Sequence, residues 1–196
     1  DTTIDQDTAV AADTITAGSG TAPTVDTVVI TATSGDGTND SSLTLIENTT
    51  KNVYIEGTFT DAEGCSTVSF TQVSFYKTDV SFAQDCSANN TYCYQVPNES
   101  TDVTITNCSG GADTTGSYST PIPIQYNTDP TDASSPSSMT NWTAYVKLTA
   151  GSHTASSTNV TEVDSLLSLD VTATISFGQL SLGGTSALQT AVITIT

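Results

Sequence analysis

Residues 141–150 (NWTAYVKLTA) separate by parity more cleanly than any other segment in the first three-quarters of the chain. Trp142, Ala144, Val146, Leu148 and Ala150 fall on one side, and Asn141, Thr143, Tyr145, Lys147 and Thr149 on the other. A period of two is that of a strand buried on one face. Such a strand needs a second layer over its apolar side, so a sandwich is predicted. Trp142, the only tryptophan, supplies the largest apolar surface of a core otherwise made of small and β-branched side chains.

The composition points the same way. Thr and Ser make up about a third of the residues, Gly and Pro are spread along the chain, and no window keeps a helical period, so the expectation is all-β. At 196 residues with 36% hydrophobic content, the chain can form one full sandwich and something smaller. The formal charge of -18 reflects missing base, with only Lys51, Lys77 and Lys147 against 21 acids. Three dispersed lysines cannot displace counterions from a nucleic acid, and that partner is excluded. The acidic exterior reads as a solvated surface.

Cys65, Cys86, Cys93 and Cys108 include no C-x-x-C pair, and His153 is the only histidine, so a zinc site finds little support. Disulfides are expected. Of the three possible connectivities, Cys65 to Cys108 with Cys86 to Cys93 is favoured, because the inner pair flanks a polar, turn-rich loop and the outer pair flanks the excursion containing it. This implies an oxidising, extracytoplasmic setting. There is no transmembrane run, and membrane insertion is not expected. Export is an inference: the first residues are polar, and a signal peptide is expected to have been removed or never present here. Sequons stand at Asn39, Asn48, Asn89, Asn98, Asn107, Asn141 and Asn159, seven of ten asparagines. About three would arise by chance in so hydroxyl-rich a chain, so N-glycosylation is a candidate modification.

Residues 1–21 form a polar leader with a weak apolar cluster that includes Val10 and Ile15. It reads either as disordered or as an extended arm that adds a strand to another subunit's sheet. From Pro23, residues 25–32, 43–46 and 53–59 are expected as the strands of a meander. Asp36, Asn39 and Asp40 between the first two could offer oxygens to calcium, but they lack the regular spacing of a calcium loop, and tight turns use the same residues. The apolar phase switch from Val68 and Phe70 to Val73 and Phe75 predicts a β-bulge near Thr71 or Gln72. Pro121 and Pro123 push the strand carrying Ile122 and Ile124 to a sheet edge. Residues 127–140 are expected as an exposed loop. Finally, Leu167, Leu169, Val171, Ala173, Ile175 and Phe177 alternate with polar residues, and Ile193 and Ile195 share a face of a last run. Those thirty residues cannot enclose their own core. Their apolar face is expected to complete the first sandwich, to open a second module, or to meet a neighbouring copy.

The turn at residues 60–65 (TDAEGC), the spaced Cys86 and Cys93, the loop at residues 129–132 (DPTD) and the strand at residues 142–146 (WTAYV) resemble the modular Ig-like surface proteins of bacteria and archaea. Residues 175–180 (ISFGQL) followed by Gly183-Gly184 resemble the opening of a second such module. The resemblance covers residues 23–196 and implies an Ig-like antiparallel β-sandwich, a secreted or cell-surface location and a structural or adhesive role. The expected division is an arm at 1–21, a sandwich at 22–163 and C-terminal strands at 164–196. The resemblance implies no catalytic residues.

Chemistry is expected to be absent as well. The lone His153 has no G-x-S-x-G elbow to serve, and no acid pair is set among aromatics as a sugar cleft requires, so no enzyme, cofactor or metal is expected. A Lys147 isopeptide crosslink is a minor expectation that intact mass would check, through loss of ammonia. The leading expectation is a filament or surface-layer subunit whose partner is itself, assembled by strand exchange through Val10, Ile15, Leu167, Leu169, Val171, Ile175, Phe177, Ile193 and Ile195. The alternative is a module of a larger adhesin that binds a host or neighbouring-cell glycan or protein.

Overall fold

The computed structural model describes residues 20–81 and 83–166. The expectations for the arm (Val10, Ile15) and for the C-terminal strands (Leu167, Leu169, Val171, Ile175, Phe177, Ile193 and Ile195) therefore lie outside the described residues.

The chain is an all-β sandwich of two sheets. β1 (Thr24–Val25), β4 (Thr50–Thr60), β8 (Thr115–Gln125) and β7 (Thr104–Thr106) follow one another in the first sheet, and β2 (Val29–Thr31) also pairs with β4. The second sheet runs β3 (Ser42–Leu43), β10 (His153–Val163), β9 (Trp142–Ala150), β5 (Val68–Lys77) and β6 (Cys93–Gln95). The order β1-β4-β8-β7 against β10-β9-β5 is the ABED and GFC arrangement of the immunoglobulin-type sandwich. β3 pairs with β10 in parallel, so the second sheet is mixed rather than purely antiparallel as expected.

The tryptophan strand holds the centre of the second sheet. β9 pairs with β10 on one side and with β5 on the other, and Trp142, Ala144, Val146 and Leu148 are fully buried. The Trp142 ring lies 4.8 Å from Phe75 and 5.9 Å from Tyr94, and its Nε1–H donates to the Asp129 carbonyl at 2.8 Å. Facing it across the core are Val53, Ile55 and Phe59 of β4 with Ile122 and Ile124 of β8. The bulge falls where the phase switch placed it, between Phe70 and Gln72.

The edge expectation for the two prolines holds locally. β8 lies between β4 and β7 in the sheet, but β7 pairs only with Ser117 to Ser119, and beyond Ser119 β8 pairs with β4 alone. Gln125, of the same parity as Pro121 and Pro123, points its N–H away from β4 to Tyr94 Oη at 3.0 Å. The two prolines thus remove donors only on the open side.

Three expectations are corrected. Residues 25–32 are two strands: Asp26 and Thr27 N–H both donate to Thr58 O, and this kink packs so closely on Gly57 that a Cβ there would stand 2.0 Å from the Thr27 carbonyl. The early strands are not a meander, because β3 leaves for the second sheet while β2 and β4 stay in the first. Residues 127–140 are not an exposed loop: Thr128, Thr131 and Ser135 are buried. Thr131 N–H donates to Val163 O at 2.8 Å and its hydroxyl accepts from Val163 N–H at 3.0 Å, which sutures the loop to the last strand.

The disulfides join Cys65 to Cys108 and Cys86 to Cys93, the pairing expected from the sequence. The first ties the β4–β5 connection to the β7–β8 connection. The second closes a loop that covers the outer face of β5, where Tyr76, Cys86 and Cys93 form a small second core. Burial and Asp129 act oppositely on Lys77 in the same region. Desolvation alone would lower its pKa, but the 2.8 Å hydrogen bond and charge of Asp129, with a smaller contribution from Asp79 at 3.6 Å, outweigh it and hold the ammonium above its ordinary value.

Candidate functional site

The strand directions give the sandwich two distinct poles. β10 begins at His153 beside Ala150 and ends at Val163 beside Leu43, a run of about 35 Å for eleven residues. Gly20 and Thr21 lie at the first pole, with Asp61, Glu63 and the Gly151 turn. Ser165 and Leu166 lie at the other, with Leu45, Tyr126 and Pro130. The described chain thus enters the sandwich at one end and leaves it at the opposite end.

A carboxylate holds the backbone at each pole. Thr21 N–H donates to Glu63 Oε1 at 2.7 Å. Ser165 donates through both its N–H and its hydroxyl to Asp132. These hydrogen bonds are the leading reason that both carboxyls sit below their ordinary pKa, with Asp61 and Ser134 adding smaller contributions at Glu63 and Asp132 respectively. A carboxylate whose folded pKa is depressed holds its contact above its unfolded pKa and loses it as pH falls through the folded value. Both latches are expected to stay closed at neutral pH and to open only once the pH has fallen below the ordinary carboxylate range. Amide shifts of Thr21 and Ser165, followed from neutral to about pH 2, should titrate together with those carboxyls; shifts that stay flat would remove the latch.

The exit pole carries the larger apolar concavity. A groove of about 410 Å³ is lined by Leu45, Tyr126, Pro130 and Leu166 with Glu47 and Asn48 at its rim. Tyr126 is 42% exposed, and the neighbouring Ile46 is 50% exposed. Ile46 falls within the expected strand at residues 43–46, yet β3 ends at Leu43 and β8 at Gln125, and both side chains are left at the pole. The groove at the first pole is smaller, about 230 Å³, and includes His153, which is the first residue of β10 rather than part of the preceding turn.

The seven sequons divide by what their side chains do. Asn159 Nδ2 donates to Val28 O at 2.6 Å and to Asn39 Oδ1 at 3.0 Å, while Asn39 Nδ2 reaches Val160 O at 3.1 Å and its Oδ1 accepts from Ile30 N–H at 2.9 Å. This pair clamps the edge of one sheet to the other, and a glycan on either nitrogen would break the clamp. Asn107 Nδ2 donates to Ser117 Oγ. Asn89 Oδ1 accepts from Thr91 N–H and Asn98 Oδ1 from the Ser100 hydroxyl, and Asn48 and Asn141 are exposed. None of these last four commits its amide nitrogen to a hydrogen bond among the described residues, and they are the sequons whose geometry suits a glycan.

Asp36 and Asp40 turn their oxygens inward to Thr38 N–H, Thr31 Oγ1 and Ala32 N–H, which makes them turn caps. Among the described residues no group of three or more His, Cys, Asp or Glu could hold a metal ion. The cross-strand neighbours of Lys147 are Ser156 and Gln72; neither is an asparagine, and the Gln72 carboxamide donates to the Gln84 carbonyl and to Asp85. No helix of the described residues is long and apolar enough to cross a membrane, and the two disulfides indicate an oxidising environment. Comparison with family models, with curated proteins and with solved structures finds no match to this chain.

Proposed function

We propose that this protein is a secreted structural subunit of the cell surface, assembled end to end with copies of itself into a filament or layer by strand exchange. The observation that carries the reading is the placement of the first and last described residues at opposite poles, the exit pole bearing an apolar groove with Tyr126 and Ile46 exposed beside it. A chain that enters at one end and leaves at the other extends a line when copies are joined pole to pole. The strictly alternating sequence of residues 167–177 supports a strand in search of a sheet, and two disulfides suit a fold outside the reducing cytoplasm.

Charge sets the conditions for the test. Copies carrying -18 each repel one another, and at low ionic strength this repulsion reaches well beyond contact. Assembly is expected to strengthen as salt rises through about 0.15 M, where the screening length falls to about 8 Å. Light scattering after size exclusion, with negative-stain microscopy, should show concentration-dependent linear species that Tyr126→Asp weakens. A strictly monodisperse monomer at every concentration and salt level would overturn the proposal.

A further inference from the structure

The outer edge of β10 is only partly closed. β9 pairs with β10 along nearly its whole length, whereas β3 covers only Glu162 and Val163 on the other side. The residues whose backbone faces that open side are even-numbered: Glu162 N–H donates to Ser41 O at 3.1 Å, and Val160 O accepts from Asn39 Nδ2 at 3.1 Å. By the same parity Thr154, Ser156 and Thr158 point their N–H and C=O groups outward. None of these groups has a hydrogen-bond partner among the described residues. Natural edges are ordinarily blunted by lysine, proline or a bulge, and residues 154–158 (TASST) have none of them. The inward side chains here, Ala155 and Ser157, are small and half-buried, and Ala155 with Val25 lies at the margin of the core.

We propose that this edge is the acceptor for residues 13–17 of the same chain (DTITA), which pair with it as a short antiparallel strand. Gly20 and His153 line one concavity, so the chain reaches its first described residue beside the start of the open edge. From there β1 runs toward the opposite pole, as β10 does. A segment arriving at Gly20 along the edge therefore runs against β10, and Gly18-Ser19-Gly20 supplies the reversal. Thr14, Ile15 and Thr16 are all β-branched, as a half-buried strand favours. In antiparallel pairing Ile15 covers Ala155 and Ser157, while Thr14 and Thr16 lie beside the outward threonines. The stretch from 154 to 158 is uncharged, so Asp13 meets no acid there. Docking within one chain stands apart from the assembly proposal; only the exchange of this strand between copies rests on it.

Amide hydrogen exchange by NMR, on the full chain at a concentration where it is monomeric, tests the docking. The Thr154, Ser156 and Thr158 amides should exchange at least about tenfold more slowly than in the Ile15→Asp chain, as a paired strand does relative to an open edge. Equal rates in the two chains would overturn the proposal. Protection that grows with protein concentration would also overturn it, assigning the edge to a neighbouring copy. Ser156→Pro offers a second readout, because its N–H points away from β9. It should raise exchange at Thr154 and Thr158, and unchanged exchange there counts against docking.

Discussion

Replacing Trp142 with alanine is expected to destabilise the fold by about 3–5 kcal/mol, the cost of removing a large aromatic from a packed core. The ring is fully buried, it contacts Phe75 and Tyr94, and its Nε1–H holds the Asp129 carbonyl. The alanine chain would lose the apolar contacts and also orphan that carbonyl in the loop at residues 127–140. A domain of this size is stable by only about 5–15 kcal/mol, so the change consumes much of the total. Trp142→Phe keeps most of the ring and gives up the hydrogen bond, and should cost about 1–2 kcal/mol beyond repacking. Urea denaturation followed by tyrosine fluorescence and far-ultraviolet circular dichroism measures both. Equal stability of the alanine and wild-type chains would mean that Trp142 is not the core residue described.

The second large effect is expected at the Cys65–Cys108 bridge. It spans 43 residues, and in the chain-entropy model closing such a loop contributes about 4 kcal/mol, against about 2.5 kcal/mol for the seven-residue separation of Cys86 and Cys93. Replacing Cys65 and Cys108 together with serine should therefore lower the unfolding midpoint more than the same change at Cys86 and Cys93. Location adds to the difference. The long bridge joins two connections beside Asp61 and Gly64 at the pole where the chain enters, whereas the short one pins a loop on the outer face of β5. If the 86/93 replacement proved the more damaging, the outer loop would matter to the core more than its position suggests. Mass spectrometry of unreduced peptides verifies the pairing on which both estimates rest.

Much of the strand content was legible because one-sided burial writes a period of two into the residues themselves. The parity of residues 142–150, the phase switch at residues 70–72 and the strand expected at residues 53–59 all survive in three dimensions. The loop at residues 127–140 failed for the opposite reason. Thr128, Thr131 and Ser135 look like solvent residues, but hydroxyls can be buried when they hydrogen-bond, as Thr131 does to Val163 and Thr128 to Tyr94. Asn39 and Asn159 match the acceptor motif, and only their mutual distance of 3.0 Å reveals a clamp between the sheets.

The candidate interface was the least visible part. No local pattern places Ile46 and Tyr126 at one end of the molecule, or Gly20 at the other beside His153. By itself the amino-acid order determined an acidic, disulfide-bearing, all-β chain with a tryptophan-centred strand, since those properties depend on residue type and short-range spacing. Only the tertiary structure decided which sheet each strand joins, which polar groups are buried and which strand edge stays open. Those outcomes depend on partners as far as 131 positions apart, such as Val28 with Asn159, whose pairing no window of neighbouring residues encodes.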